Sequence, residues 1–577
     1  MPPAGHHDRK ACEMDRYAGE PIDLTGGPSR MARGCVTALA ALVLSCMIAA
    51  VAPAASAHAG SGATAAAIPP RVPCQALAGV DLSRLDAIAA LATTVVREGH
   101  EFCQVDGYIS PQEQFQMLLP TQTWGGTYLQ EGCAAFCGSV NLNLRDPAGV
   151  SQSQLPWAPL ANGEVAVAAG NQGHFGLHFG DALWGKEDPV LRVVWGYTSE
   201  HSLARAAKAL IRAYYGRRPS HSYFDGVSDG GRKGLIFAQR YPNEFDGVLA
   251  GAPSVTWSVL VGQYVAWQGR TNMDADGQAI LTPEKLRMLH QVVLDRCGDG
   301  IVIRDPRACT FDPASIRCPS GDQADCLTAA QVRAARRLYR GPTYKGVNLF
   351  NGGQPYGSEL GWVLASQCLL AINYVKYLAF WRNPADDYTC ADIPFTPAMH
   401  RRLQRLGRLY NAGDPDLRAF RASGGKIIMY HGWADEGISP ISTVDYYRHV
   451  VRRMGGYARS QRFSRLYMVP GLYHGPGGRP VGGNVTGVPL MEHLARWVEG
   501  GGAPGEVSFP VTTPTGAPLP TVTARPFNPL ARAPRNEGLN SNYRYIGRRS
   551  AYRSDNELWC TRPGPSIACS GRRPKGS

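Results

Sequence analysis

Residues Gly226-Val227-Ser228-Asp229-Gly230 stand between an apolar run, Ser222-Tyr223-Phe224, and a segment whose apolar positions recur with helical spacing. A G-x-S-x-G pentapeptide in that setting is a sharp strand-to-helix turn. Lifting the serine oxygen clear of the backbone leaves room only for small flanking residues. Glycine makes up 66 of the 577 residues, so the pentapeptide alone carries little weight and an incidental serine in a glycine-rich turn is the alternative. The surroundings decide between them. Gly231 and Gly234 follow, Leu235, Ile236 and Ala238 give the helix an apolar face, and Phe245-Asp246-Gly247-Val248-Leu249-Ala250-Gly251-Ala252-Pro253 reads as the next strand. Strand, helix, strand in this order predicts an α/β architecture with a parallel sheet.

A serine hydroxyl is a weak nucleophile unless a base takes its proton and a carboxylate orients that base. On this kind of turn the partners follow in the order Ser, Asp or Glu, His, each on a loop after a strand. Lys426-Ile427-Ile428-Met429-Tyr430 is strand-like and runs into His431-Gly432-Trp433-Ala434-Asp435, with a helix expected from about Ser442 to Met454. Leu466-Tyr467-Met468-Val469-Pro470 is a second such run and leads into Gly471-Leu472-Tyr473-His474-Gly475. Asp435 and His474 therefore fall on successive strand-end loops, at the sheet edge expected for Ser228. Asp435 as a mere cap of the following helix is the competing reading, and His431 is the rival histidine. His174 and His178, near the end of Val165-Ala166-Val167-Ala168-Ala169, are expected to support a pocket rim. The oxyanion of an acyl-transfer intermediate needs two backbone N–H donors. One is expected from Asp229 and the other from the small-residue loop Glu131-Gly132-Cys133-Ala134-Ala135-Phe136-Cys137-Gly138.

Met31 to Ala57 reads as a secretory leader, with Arg33, an apolar stretch from Val36 to Val51, and Ala55-Ser56-Ala57 before His58. Met31 is a candidate true initiator. Val43-Leu44-Ser45-Cys46 only loosely resembles a lipid-attachment box, because leucine stands where a small residue is wanted. No later stretch is apolar for long enough to span a membrane. Of the fifteen cysteines, Cys12, Cys35 and Cys46 lie in the leader. The remaining even number fits a compartment where disulfides persist. Neighbours along the chain suggest Cys74–Cys103, Cys133–Cys137, Cys297–Cys309, Cys318–Cys326, Cys368–Cys390 and Cys560–Cys569. A zinc site lacks the paired C-x-x-C units it would need. The formal charge of +13 is spread out, with arginines from Arg544 to Arg573 in the tail. No nucleic-acid reader motif accompanies them, and a solvated basic surface is the expectation.

With these motifs in hand, the chain resembles the tannase and feruloyl esterase family of α/β-hydrolases, which includes a mono-hydroxyethyl terephthalate hydrolase. The resemblance rests on Ala207 to Gly216, Ser222 to Pro253, His431-Gly432-Trp433-Ala434-Asp435, and Val469-Pro470-Gly471 with His474. It implies an α/β-hydrolase fold with a large inserted lid domain. Residues 1–57 would be leader, 58–255 the first part of the core, 256–415 the lid, and 416–577 the second part of the core and the tail. It also implies Ser228, Asp435 and His474 as a triad, with Ala135 and Asp229 at the oxyanion positions. Two departures stand out. Family members usually carry a cysteine just before the serine and just after the histidine, joined by a disulfide, where this chain has Val227 and Gly475. Relatives also often carry an acidic calcium loop; only Asp299-Gly300, between Cys297 and Cys309, keeps that pattern, so no metal or other cofactor is expected. Within the insertion, Trp362, Tyr374, Tyr377, Phe380 and Trp381 are either cavity lining or lid core, and Lys376 or Arg382 is a candidate for meeting a substrate carboxylate. The implied activity is a secreted serine esterase acting on aromatic, feruloyl- or galloyl-type esters, with small or plant-polymer substrates and no nucleic-acid or membrane partner. A serine peptidase on the same scaffold and a non-catalytic polyphenol- or carbohydrate-binding protein are the alternatives.

Overall fold

The computed structural model describes residues 66–531 except 141, 143, 145–155, 363–364, 381 and 476–480, together with Tyr552 and the backbone of 559–560 and 569–570. All belong to one unit, Thr64–Ser577. The expected leader, Trp381 and the tail arginines lie outside the described residues.

Nine strands form one sheet: β1 (Ala87–Arg97), β2 (His100–Ile109), β3 (Glu113–Pro120), β4 (Thr127–Gly132), β5 (Val165–Gly170), β6 (His221–Val227), β7 (Gly247–Gly251), β8 (Lys426–Gly432) and β9 (Ser464–Val469). Their order is β1-β2-β3-β5-β4-β6-β7-β8-β9. The pairings from β1 through β3 to β5 are antiparallel, and every pairing from β5 onward is parallel. Strands β5 and β7 are buried along their whole length, as parallel strands covered on both faces must be. The architecture is that of an α/β-hydrolase.

The main helices are α1 (Ser199–Tyr215), α2 (Asp229–Arg240), α3 (Pro283–Cys297), α4 (Ala329–Arg340), α5 (Ala365–Asn373), α6 (Pro440–Arg453) and α7 (Leu490–Val498). Successive strand residues point to opposite faces of a sheet, and two core clusters follow from that alternation. Phe224, Val248, Ile427 and Leu466 pack with Leu210 of α1, Leu235 of α2 and Val444 of α6 on one face. Tyr223, Leu249, Ile428 and Tyr467 pack with Leu490, Leu494 and Trp497 of α7 on the other. Each large apolar side chain so removed from water contributes about 1.5–3 kcal/mol. Helix α6 begins earlier than expected because Pro440 occupies its first turn, where the missing N–H has no partner to lose.

Residues between β7 and β8 build a third cluster that includes Trp257, Trp267, Leu289, Leu338, Tyr339, Trp362, Tyr374 and Phe380. The insertion therefore contributes a buried core and does not depend on its disulfides alone. Trp362 and Tyr374 are fully buried, Phe380 nearly so, and Tyr377 packs against the same cluster. Of the two readings left open for these aromatics, the structure selects core. Disulfides Cys297–Cys309, Cys318–Cys326 and Cys368–Cys390 staple this region, while Cys74–Cys103 and Cys133–Cys137 lie before α1. The sixth expected pair falls where only backbone is described; Cys560 and Cys569 face each other across a short antiparallel ladder.

Candidate active site

Ser228 sits at the tip of β6 with φ 63 and ψ −114, a left-handed conformation rare for a residue with a side chain. Close packing requires the flanking glycines. A Cβ on Gly226 would lie 2.5 Å from the carbonyl carbon of Gly230. The strained turn is held by its backbone: the Ser228 N–H donates to the Gly251 carbonyl at 2.9 Å, and its own carbonyl accepts from the Ser254 N–H and hydroxyl, each at 3.1 Å. The side-chain oxygen is left to face His474, whose Nε2 lies 3.1 Å away.

His474 Nδ1 lies 2.9 Å from Asp435 Oδ2, which orders the imidazole with a proton on Nδ1 and a free pair on Nε2. Its backbone N–H donates to Glu436 Oε2 at 3.1 Å. Asp435 is fully buried. Its other oxygen, Oδ1, accepts the N–H groups of Gly437 at 2.8 Å and Ile438 at 2.7 Å. Burial would raise this carboxyl, but the imidazoles of His474 and His431 outweigh it and hold the group well below the usual carboxylate range.

The sequence weighed His431 only as a rival base. In the structure it is fully buried, and its Nε2 lies 2.9 Å from the same Asp435 Oδ2 that His474 uses. Its Nδ1 meets Thr443 Oγ1 at 2.7 Å, so the threonine hydroxyl donates, and His431 Nε2–H donates to the Ile438 carbonyl at 3.1 Å with the carboxylate alongside. Three residues between them across the strand end suffice for this contact, and no sequence period reveals it.

Ala135 adopts φ 50 within the loop closed by Cys133–Cys137, where the Cys137 N–H donates to the Ala134 carbonyl at 3.0 Å. Asp229 opens α2, whose first N–H groups have no intrahelical acceptor. The Asp229 carboxylate is clamped by Arg232 Nε at 2.5 Å, both side chains fully buried. Arg232 in turn donates to the carbonyls of Gly196 at 2.7 Å and Tyr410 at 3.0 Å, and lies over the ring of Trp257. The base of the serine turn is thereby braced against the helical region. Next to it Lys233 is also buried, and burial together with Arg232 holds its ammonium down to about 7. Nothing in the sequence pattern announced this interior charge.

Ser228, His474, Ala134 and Ala135 border a cavity of about 400 Å³, within the range of small-molecule pockets. The wall consists of Trp257, Leu260, Val261, Val265, Leu370 and Ile438, completed by Phe179, Ser254, Gln367 and Gly437. Leu260–Val265 is a π-helical turn, a wider winding than an α-helix that recurs at functional sites. In keeping with the core alternative, Trp362, Tyr374, Tyr377 and Phe380 do not line the cavity. Lys376 donates to the Asp386 carbonyl instead, and Arg382 is exposed and away from the wall. Of the two rim histidines, His178 is exposed beside Phe179, whereas His174 is buried and stacked on Trp184 with ring centroids 3.7 Å apart.

The Cys297–Cys309 loop does not fit a calcium ion. Asp299 is bound to Arg304 at 2.9 Å and Asp305 to Arg307 at 2.7 Å, so its carboxylates meet guanidiniums and do not converge. Among the described residues no group of three or more His, Cys, Asp or Glu side chains is placed to hold a metal. No described helix is long and apolar enough to cross a membrane.

A profile described as tannase and feruloyl esterase matches residues 93–538. The chain belongs to that family. An uncharacterized esterase of Xanthomonas campestris pv. campestris is 30% identical over 488 residues, covering 76% of this chain and 80% of the relative. The mono(2-hydroxyethyl) terephthalate hydrolase of Piscinibacter sakaiensis is 28% identical over 522 residues, covering 77% and 84%. Among solved structures, feruloyl esterase B from Aspergillus oryzae superposes with a TM-score of 0.66 at 23% identity, covering 79% of this chain and 95% of that one. The tannin acyl hydrolase from Aspergillus niger gives 0.61 at 19% identity, covering 84% and 90%. Tannase/feruloyl esterase membership makes the chain a carboxylic ester hydrolase.

Proposed function

We propose that this family member is a secreted serine esterase that cleaves aromatic carboxylic esters through an acyl-enzyme. The observation that carries the reading is the unbroken hydrogen-bond chain from Ser228 Oγ through both nitrogens of His474 to Asp435 Oδ2, at the border of an apolar cavity. In this reading His474 Nε2 takes the Ser228 proton as Oγ attacks the ester carbonyl carbon. Asp435, kept ionised, fixes the tautomer and stabilises the imidazolium. The N–H groups of Ala135 and Asp229 receive the oxyanion. Collapse of the tetrahedral intermediate expels the alcohol, which leaves with the imidazolium proton. A water molecule, deprotonated by His474, then attacks the acyl carbon and releases the acid. No step calls for a metal ion or a redox cofactor.

The names of relatives, feruloyl esterase and mono(2-hydroxyethyl) terephthalate hydrolase, support an aromatic acyl group from a small or plant-polymer ester. Five described disulfides and the apolar leader after Arg33 support export. The helical region between β7 and β8 acts as the lid, since it supplies Trp257, Leu260, Val261 and Val265 to the cavity wall.

Ser228→Ala tests the reading. It should lower kcat on an aryl ester by about 10⁴-fold or more, keep the melting temperature, and lose labelling by a fluorophosphonate. An active alanine variant refutes the assignment. A wild-type chain that binds aromatic esters without cleaving or labelling is a binding protein, and faster cleavage of peptide amides than of aryl esters makes it a peptidase.

A further inference from the structure

The cavity wall has a chemical character that distinguishes between the esters this family meets. Among its described residues there is no lysine, arginine, aspartate or glutamate, and His474 is the sole titratable side chain. The side chains that hold His474, Asp435 and Glu436, both carry carboxyl groups. Besides Ser228 and His474, the described wall holds one further hydroxyl, one amide and the indole of Trp257. The Ser254 hydroxyl already donates to the Ser228 carbonyl. Gln367, on α5, carries an amide that can both donate and accept.

We infer that this cavity is an acyl subsite for an uncharged, largely apolar aromatic group, and that Gln367 is the specificity-determining residue that reads one neutral polar substituent on it. The inference rests on the esterase reading above. Assignment to the acyl part follows from the order of events. The acyl group stays bonded to Ser228 after the alcohol departs, so the enclosed wall is where it must be held while water enters. The alcohol leaves past the mouth, where Phe179 and its neighbours Phe175 and Leu177 are exposed at 54, 61 and 80%.

A carboxylate on the ring would lose its hydration against Leu260, Val261 and Val265, would gain no counter-ion among the described wall residues, and would be repelled by the acidic pair behind His474. The overall positive charge of the chain gives no relief, because none of it lies on the described wall. A trihydroxylated ring presents more polar groups than one amide can satisfy. A cinnamoyl-type ring with one hydroxyl or methoxy group fits the single amide.

The test uses the full mature chain and a matched pair of substrates, dimethyl terephthalate and its mono-methyl ester at pH 7, which differ by one negative charge. The diester should exceed the half-ester in kcat/KM by about a hundredfold or more. Gln367→Leu should lower kcat/KM for methyl 4-hydroxycinnamate about tenfold more than it lowers that for methyl cinnamate. Gln367→Arg should narrow the gap between the terephthalate pair. Both substitutions fall on a partly exposed position, and an unchanged melting temperature checks the fold. A half-ester cleaved as well as the diester overturns the uncharged subsite, and an equal effect of Gln367→Leu on both cinnamates overturns the role of Gln367. Failure to cleave any of these esters, together with no fluorophosphonate labelling of Ser228, overturns the esterase reading itself and this inference with it.

Discussion

The rim of the sheet and the helical region beside it solve the same problem, holding side chains in fixed places, by different means. At the rim, Ser228, Asp435 and His474 stand on the ends of β6, β8 and β9, and are fixed by backbone hydrogen bonds and by each other. No sulfur clamp is available there, because Val227 and Gly475 stand where relatives usually carry cysteine. The helical region has three disulfides and a buried aromatic cluster, yet it contributes no group that would react. The difference teaches that the side chains meant to pass a proton are held by hydrogen bonds, whereas staples fix backbone shape, in the helical region and at the Cys133–Cys137 loop alike.

Substitutions can break that contrast. The largest effect is expected at the rim. Asp435→Asn should lower kcat by about 10⁴-fold with little change in KM, since it removes the acceptor that sets the His474 tautomer. The joint replacement Cys133→Ser and Cys137→Ser comes next. It frees the loop that keeps Ala135 at φ 50 and should cost about a hundredfold in kcat, read by single-turnover kinetics. If only KM changed, this disulfide would belong with the shape-giving staples. His431→Phe removes one of the two imidazoles beside Asp435 Oδ2 and the Nε2 contact with the Ile438 carbonyl, and should lower kcat about tenfold, with partial recovery in His431→Gln. The joint replacement Cys368→Ala and Cys390→Ala loosens the stretch that carries Gln367 and Leu370. It should raise KM about three- to tenfold and leave kcat nearly intact, as loss of uniform binding does.

The smallest effect is one of stability. Burial holds the His174 imidazole down to about 3, and burial likewise holds His201 down to about 4. The folded chain keeps both neutral where the unfolded chain binds protons. Stability is therefore lost as pH falls below about 6.5, by at most about 1.4 kcal/mol per pH unit for each group. His174→Phe keeps the stack on Trp184 and should flatten the acid side of a melting-temperature profile measured from pH 7 to 4. An unchanged profile would assign the acid loss to other groups.

The sequence made the rim legible because its signals are local. Strand runs end in Gly226-Val227-Ser228, His431-Gly432 and Gly471, and a parallel sheet brings such ends to one edge. The second role of His431 was hidden, because whether two residues around a turn meet depends on torsion angles that composition does not encode. The cavity wall was hidden for another reason. Trp257, Leu260, Val261 and Val265 belong to an apolar run that reads as core, and most of its neighbours are core. The bulky aromatics Trp362, Tyr374 and Phe380 could have been lining or core, and they fill the helical region. Size and hydrophobicity say that a side chain leaves water, and they do not say whether it meets protein or substrate.

The winding of Leu260–Val265 has a consequence for how relatives can diverge. A π-helical turn houses one residue more than an α-helical turn over the same span. Deleting Gly262 would restore ordinary winding over the same span, so the helix beyond would keep its direction while the widened turn closed. Val265 would stay on the face of Leu260, and the stretch of wall between them would tighten. Chain length at this point is thus a coarse dial on which esters can enter, turned by insertion or deletion without exchanging a single side chain.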